Sequence, residues 1–383
     1  MLRKMQQAIG LIGLALLLSI VVSVAARRSL PKPTGSFSVG RTSRIWVDSS
    51  RPEVLTSNLN DFRNVPVTIW YPAQAGAGTQ APYFPGLDRV AQNLAASGEV
   101  TPVEVFGLRF IQSRERLDAP IASNTKTYPV IIFSPGNGTN IEFYAAIADE
   151  LASYGYIVVG INHPYDVAAV ALQDGSVAQF APGPIEIQAR QAWVAVRVAV
   201  RVADVLFALH ELHALNAGDD RLFAGRLDLT RVAVMGHSLG GITAAEACRA
   251  NPEFLACLNL DGLQRGGPFS TDNDPTPPNQ PFMMITKEAQ LPPNFIASFK
   301  AIPSGSYLVV IHDAKHDSFT DGPLLIPALL PVPNEADQIL ALTRSYTLAF
   351  FNQTLKQQPS TLLEKPLESR QVSLEVYPPH RPH

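Results

Sequence analysis

Residues 231–245 read RVAVMGHSLGGITAA, an apolar, β-branched run followed by a run of small residues, with Ser238 at the junction. Glycines stand two places before the serine and two places after it. Residues 232–235 have the composition of a short buried strand, and the residues after Gly240 have the periodicity of a helix. A strand that turns at once into a helix through G-x-S-x-G is the context in which a sharp, strained turn presents a serine hydroxyl. Glycines remove the collisions that neighbouring side chains would suffer there, and the first amides of the helix face any negative charge that forms near the serine. In an ordinary Gly-rich connector Ser238 would be incidental, so the rest of the chain must supply its partners.

Working outward, apolar runs recur at residues 65–71 (VPVTIWY), 130–134 (VIIFS), 156–161 (YIVVGI), 255–260 (LACLNL), 282–286 (FMMIT) and 307–311 (YLVVI). Helical periodicity occupies residues 141–154, 185–215, 240–249 and 335–355. Strands that are apolar at every position, alternating with helices, predict an α/β fold with a mostly parallel twisted central sheet and helices on both faces. Two stretches break the alternation: residues 81–125, of mixed helical pattern, and the loop 264–281 (QRGGPFSTDNDPTPPNQP). Long loops at strand ends commonly shape a pocket.

The 383 residues are 46% hydrophobic, enough for a substantial core, and 32 prolines favour many loops over a helical bundle. Lys and Arg number 30 against 33 Asp and Glu, a net charge of -3, so no basic field exists to hold a phosphate backbone and nucleic acid is not an expected partner. Arg3 and Lys4 precede an unbroken apolar run over residues 8–26. Residues 1–29 are therefore expected to be either a cleaved export signal or an N-terminal membrane anchor, with the catalytic part secreted, periplasmic or held at the membrane. One catalytic domain over residues 36–356 follows, and residues 357–383 read as a polar, Pro-rich tail, peripheral or disordered. Cys248 and Cys257 make no disulfide framework and are expected as buried thiols on a helix and the next strand, although an export route leaves a bridge open.

A serine hydroxyl needs a base, and the base needs an acid to orient it; after a nucleophile presented in this way the acid and then the histidine follow in chain order. His316, in VVIHDAKHDSFTD, lies on a loop a few residues past a strand and is the preferred base. His312, at the strand end itself, is its rival. Asp261 ends the strand after the nucleophile's helix and is followed by Gly262; Glu288, after the next strand, is the alternative acid. A second oxyanion amide is expected from the loop after an early strand, and FSPGNG at residues 133–138 supplies one at Asn137 to join that of Leu239.

Taken together these residues resemble the platelet-activating factor acetylhydrolase family, the plasma and type II intracellular group within the α/β-hydrolases, with its bacterial members. The resemblance spans residues 36–353 and rests on IWYPA (69–73), FSPGNG (133–138), GINHPYD (160–166), GHSLGG (236–241), LNLDG (258–262) and HDSFTD (316–321). GHSLGG is widely shared; the spacing, 23 residues from Ser238 to Asp261 and 55 from Asp261 to His316, is the more specific feature. The resemblance implies the α/β-hydrolase fold, a catalytic triad of Ser238, Asp261 and His316, which favours Asp261 over Glu288, and oxyanion amides at Asn137 and Leu239. The chain departs from the pattern at Pro135-Gly136, where members often carry His-Gly.

The expected chemistry is hydrolysis of a short-chain carboxylic ester through an acyl-enzyme, with no metal or other cofactor. The resemblance implies phospholipid sn-2 acetyl or oxidised acyl groups as substrates and a lipid surface as a possible partner. A polyester or dienelactone-hydrolase-like esterase is the nearest alternative. A hydrolase-fold protein that binds a ligand without turning it over is the alternative of another class. The apolar run GPLLIPALLPVP at residues 322–333 suits a pocket wall, a lip on lipid, or simple core packing.

Overall fold

Every residue of Tyr128–Ser134 is buried, as is every residue of Ile157–Ile161. A strand with no solvated face must be covered on both sides, and the fold is built around that requirement. The computed structural model describes residues 29–58, 60–262, 276–288, 291, 293–325, 334–365 and 367–377, together with Gly13. In chain order the strands are β1 (Ser38–Pro52), β2 (Phe62–Ala73), β3 (Thr79–Pro82), β4 (Gln112–Leu117), β5 (Tyr128–Ser134), β6 (Ile157–Ile161), β7 (Ala169–Ala171), β8 (Val177–Gln179), β9 (Leu227–His237), β10 (Phe254–Leu260), β11 (Phe282–Lys287), β12 (Ser306–Ile311), β13 (Leu367–Glu368) and β14 (Val372–Tyr377). Among the described residues all but β7 and β8 join one sheet, in the order β13-β14-β12-β11-β10-β9-β5-β6-β2-β1-β4-β3.

The centre of that sheet, from β6 through β5, β9, β10 and β11 to β12, is parallel throughout. It is flanked by β2 and β1 on one side and by β14 and β13 on the other, joined by the antiparallel pairs β6–β2, β2–β1, β12–β14 and β14–β13, while β1 pairs in parallel with β4 beyond it. Alternate residues of β5 point to opposite layers. Ile131 and Phe133 pack with residues of the helices Ala145–Ser153 and Asn334–Leu355, while Val130 and Ile132 pack with residues of Ile187–Ala217 and Leu239–Ala250. The expected α/β architecture is the one observed, with each central strand where the apolar runs put it. Because β6 lies on one side of β5 and β9 on the other, the chain reverses its direction of winding there. The crevice outside the carboxyl ends of β5 and β9 is thus a topological switch point, where open α/β sheets place their ligands.

Several features differ from expectation. Residues 357–383 are expected as a tail, yet β13 and β14 extend the sheet, with β14 running antiparallel to β12. Val372 and Leu374 are buried between less buried neighbours, a period of two too short to stand out beside the prolines that flank it. Cys248 and Cys257, expected as thiols, are joined by a disulfide, because the helix Leu239–Ala250 packs on β10 and brings their Cα atoms to 6.3 Å. Strand β1 carries no apolar signature because part of its buried face is charged: Arg41 pairs with Glu115 at 2.5 Å, both almost fully buried. The N-terminal segment apart from Gly13 and Ser29, the loop 264–281 as far as residue 275, and residues 326–333 of the proline-punctuated run lie outside the described residues. No helix among the described residues is long and apolar enough to cross a membrane.

One buried acid ties the sheet's far loop to its near helix. Asp321, just beyond the turn His316–Phe319, accepts from the amide of Ala146 at 3.2 Å and from the Tyr83 hydroxyl at 3.1 Å, and its own N–H donates to Phe143 O at 2.6 Å. Burial pushes its carboxyl up from 3.8 to about 8. The folded chain therefore keeps a proton that the unfolded chain releases, so this group's contribution to stability is complete below about pH 4 and is lost as pH rises to about 8. In Asp321→Asn the loss is absent. Urea unfolding midpoints measured from pH 5 to pH 8 should show wild type declining relative to the variant, by up to about 1.4 kcal/mol per pH unit; parallel profiles would show that Asp321 is ionised in the fold.

Candidate active site

Strand β9 ends at His237, and the next residue, Ser238, takes φ 54° and ψ −121°, a conformation that costs a non-glycine residue about 1–3 kcal/mol. The surrounding backbone enforces it. The Ser238 amide donates to Leu260 O at 2.8 Å, tying the turn to the end of β10. A Cβ on Gly236 would lie 2.0 Å from Gly240 O, and one on Gly240 would lie 2.0 Å from Ser134 O, so the turn closes only with hydrogen at both positions. The two glycines of the motif serve close backbone contact, and the strain falls on the serine between them.

Asp261 is the residue after β10, and it also has positive φ, 48°, with its amide bonded to Ile285 O at 2.8 Å. Its carboxylate is nearly fully buried. Oδ1 accepts from the Thr286 hydroxyl at 2.6 Å, and Oδ2 lies 2.6 Å from His316 Nδ1. Burial alone would raise its pKa, but the hydrogen bonds from His316 and Thr286 outweigh it and hold the carboxyl below its usual range. An ionised carboxylate only accepts, so His316 carries its proton on Nδ1. Nε2 is then the free acceptor, and Ser238 Oγ lies 2.8 Å from it.

The structure thus brings together Ser238, Asp261 and His316 from the ends of β9 and β10 and the loop after β12. The rival residues lie elsewhere and face each other: His312 Nδ1 is 3.7 Å from Glu288, and its Nε2 is 3.5 Å from Glu368. The sequence candidates Asn137 and Leu239 both fall close to Ser238. Leu239 opens the helix Leu239–Ala250, and Asn137 follows Gly136, where a Cβ would lie 3.6 Å from Ser238 Cβ. Among the described residues no hydrogen bond takes the backbone amide of either one.

Buried charges hold the Asn137 loop, and of them the motifs include only Asp166 and neighbouring His163, with no role assigned to either. Arg201 donates to Pro135 O at 2.7 Å and to Asp166 at 2.8 Å, and Asp166 O accepts from the Gly138 amide at 2.7 Å. Arg197 pairs with the same carboxylate at 2.6 Å. Beside them Ser134 Oγ lies 2.9 Å from His163 Nε2, and His163 Nδ1 lies 2.8 Å from Asp204, which Arg63 pairs at 2.7 Å. Burial pushes His163 down to about 4, so the ring is neutral; burial opposes the Asp204 charge, but Arg63 and His163 keep its pKa well below the carboxylate range. A signal was present in the sequence: Arg197, Arg201 and Asp204 recur at helical spacing with Val194, Val198 and Val205, charges on a face that must be buried.

A cavity of about 500 Å³ opens beside these residues. Gly138 and Thr139 of the Asn137 loop and Asp317 and Ser318 of the His316 loop form part of its wall, and Phe143 and Ile339 give it an apolar side. Among the described residues no cluster of His, Cys, Asp and Glu could hold a metal ion.

The family model "Platelet-activating factor acetylhydrolase, isoform II" matches residues 22–358, somewhat wider than the span of the motifs. The platelet-activating factor acetylhydrolase of Cavia porcellus is 27% identical over 267 residues, 63% of this chain and 57% of that protein. The probable 1-alkyl-2-acetylglycerophosphocholine esterase of Arthroderma benhamiae is 24% identical over 330 residues, 81% of this chain and 80% of its own. The match to the Cavia porcellus protein thus spans little more than half of that relative's length. A solved ferulic acid esterase from Streptomyces cinnamoneus superposes with a TM-score of 0.71 at 24% identity, over 89% of this chain and 97% of that one, a likeness of fold. With its model matched from residue 22 to residue 358, the chain belongs to the platelet-activating factor acetylhydrolase isoform II family.

Proposed function

We propose that this protein is a serine carboxylic-ester hydrolase, and one observation carries the proposal: the hydrogen-bonded chain from Ser238 Oγ through His316 to Asp261, at 2.8 and 2.6 Å. Ser238 Oγ attacks the ester carbonyl carbon while His316 Nε2 takes the hydroxyl proton, and the new oxyanion is held by the amides of Asn137 and Leu239. The C–O bond to the alcohol then breaks as the imidazolium returns the proton to the leaving oxygen. Water, deprotonated by His316, attacks the acyl-Ser238 ester by the same route and releases the acid. Asp261 holds the imidazole in the Nδ1–H tautomer through both steps and stabilises its positive form.

The names of the family relatives, acetylhydrolase and 1-alkyl-2-acetylglycerophosphocholine esterase, point to short acyl groups on a glycerophospholipid, with acetyl the first choice, and the partly apolar cavity suits a short chain. Its wall also carries Glu99, Glu104, Asp313, Asp317 and Glu335 against the single ammonium of Lys315, among the described residues. A carboxylate on the acyl chain would meet that field unfavourably. Export belongs to the same proposal, supported by a disulfide between Cys248 and Cys257 that suits an oxidising compartment and by the apolar run of residues 8–26 behind Arg3 and Lys4.

Two measurements test the proposal. Ser238→Ala should lower kcat for p-nitrophenyl acetate by about 10⁴-fold or more and abolish labelling by a fluorophosphonate; activity within tenfold of wild type would remove Ser238 from the reaction. Esters of neutral short acids should be cleaved about tenfold faster, by kcat/KM, than those whose acyl chain ends in a carboxylate at equal length, with the gap narrowing in high salt. Equal rates would show that the acidic wall does not face the acyl group.

A further inference from the structure

His237 and Tyr144 take no part in the steps above, yet both are fully or almost fully buried and together they bond to the Gly136 amide on one side of the site and to the His316 carbonyl on the other. The donor and acceptor at each contact can be assigned. His237 Nε2 lies 3.0 Å from His316 O, and a carbonyl can only accept, so Nε2 bears the hydrogen. Burial, with the neighbouring His316, pushes the His237 pKa down to about 3, so the ring carries one proton and Nδ1 is bare. Tyr144 Oη, 2.8 Å from Nδ1, must then donate to it, which leaves the phenol oxygen to accept the Gly136 amide at 2.9 Å. The bonds run in one direction, from Gly136 N–H through Tyr144 and His237 to the carbonyl of His316. The two imidazoles also lie against each other, with ring centroids 4.7 Å apart and their planes tilted by 37°.

Gly136 adjoins the Asn137 amide, His237 adjoins Ser238, and the carbonyl at the other end belongs to His316 itself. From this juxtaposition we propose that His237 and Tyr144 are positioning residues, a two-member strut that sets the separation of the His316 base and the Asn137 oxyanion amide across the nucleophile. The inference rests on the esterase reading of Ser238. It explains why a histidine occupies the place before the serine: a residue there needs one ring nitrogen to donate and one to accept, on opposite sides.

The test compares Tyr144→Phe, His237→Leu, His237→Gln and the double variant Tyr144→Phe/His237→Leu with wild type on p-nitrophenyl acetate, using monodisperse protein of native circular dichroism. Ser238→Ala is the control. Tyr144→Phe and His237→Leu should each lower kcat by about tenfold to a hundredfold with KM within twofold, since misplacement of reacting groups slows chemistry more than binding. His237→Gln, which keeps one donor and one acceptor, should recover at least part of the loss. The double variant should fall no further than His237→Leu, because two members of one strut do not add. A merely structural role would lower the melting temperature and leave kcat of the folded protein unchanged, and that result overturns the proposal, as do multiplicative losses or a glutamine variant no better than leucine. Should Ser238→Ala stay active, the esterase reading fails and the strut with it; should only the strut variants match wild type, the esterase reading stands and the strut alone falls.

Discussion

The fold depends on how closely three pieces of backbone meet at Ser238. With Gly240 against Ser134 O and Gly236 against Gly240 O, there is no room for a carbon atom on either glycine. That contact welds the carboxyl ends of β5 and β9 to the start of the helix Leu239–Ala250, and it forces positive φ onto the serine. A residue in such a conformation persists only where its neighbours over-determine it. Here the constraints are the amide bond to Leu260 O, the buried flanking strands and the packed helix. The local strain is small compared with the burial that maintains it, and it points the hydroxyl out of the sheet toward the loop from β12.

A second layer of order is electrostatic. Arg63, Arg197 and Arg201 are buried against Asp166, Asp204 and Glu53, in a region where isolated charges would be prohibitively costly. Pairs of this kind contribute little net stability over apolar residues of the same size, but their geometry is demanding, since every donor must find its acceptor. In this protein the demanded geometry includes Pro135 O and, through Asp166, the amide of Gly138. The loop that bears Asn137 is therefore held by directional bonds and not only by packing, which would suit the oxyanion role proposed for it.

Much of this was legible in the residues. The central strands announce themselves because a fully buried strand must be apolar at each position, and the order of Ser238, Asp261 and His316 along the chain follows the order in which parallel strands are added to the sheet. What was not legible has a physical reason in each case. Strand β1 hides a buried arginine whose partner, Glu115, lies some seventy residues on, a pairing that no local period reveals. Strand β14, next to the sheet's edge, has only two buried positions from which to read a period. The bridge between Cys248 and Cys257 depends on how a helix sits on a strand, a matter of packing angle. The bonds of His237 and Tyr144 are tertiary in the same sense, although His237 sits inside the G-x-S-x-G motif itself.

The position of β14 has a consequence for how the chain is made. Strand β12, which leads into the loop bearing His316, has β11 on one side and β14 on the other, and β14 arrives only after the long helix Asn334–Leu355. While a ribosome or translocon is still releasing the chain, that border of β12 has bare amides and carbonyls, the kind of template on which nascent polypeptides stick to one another. A chaperone that shields this border until residues 372–377 emerge would protect the site and the sheet at once.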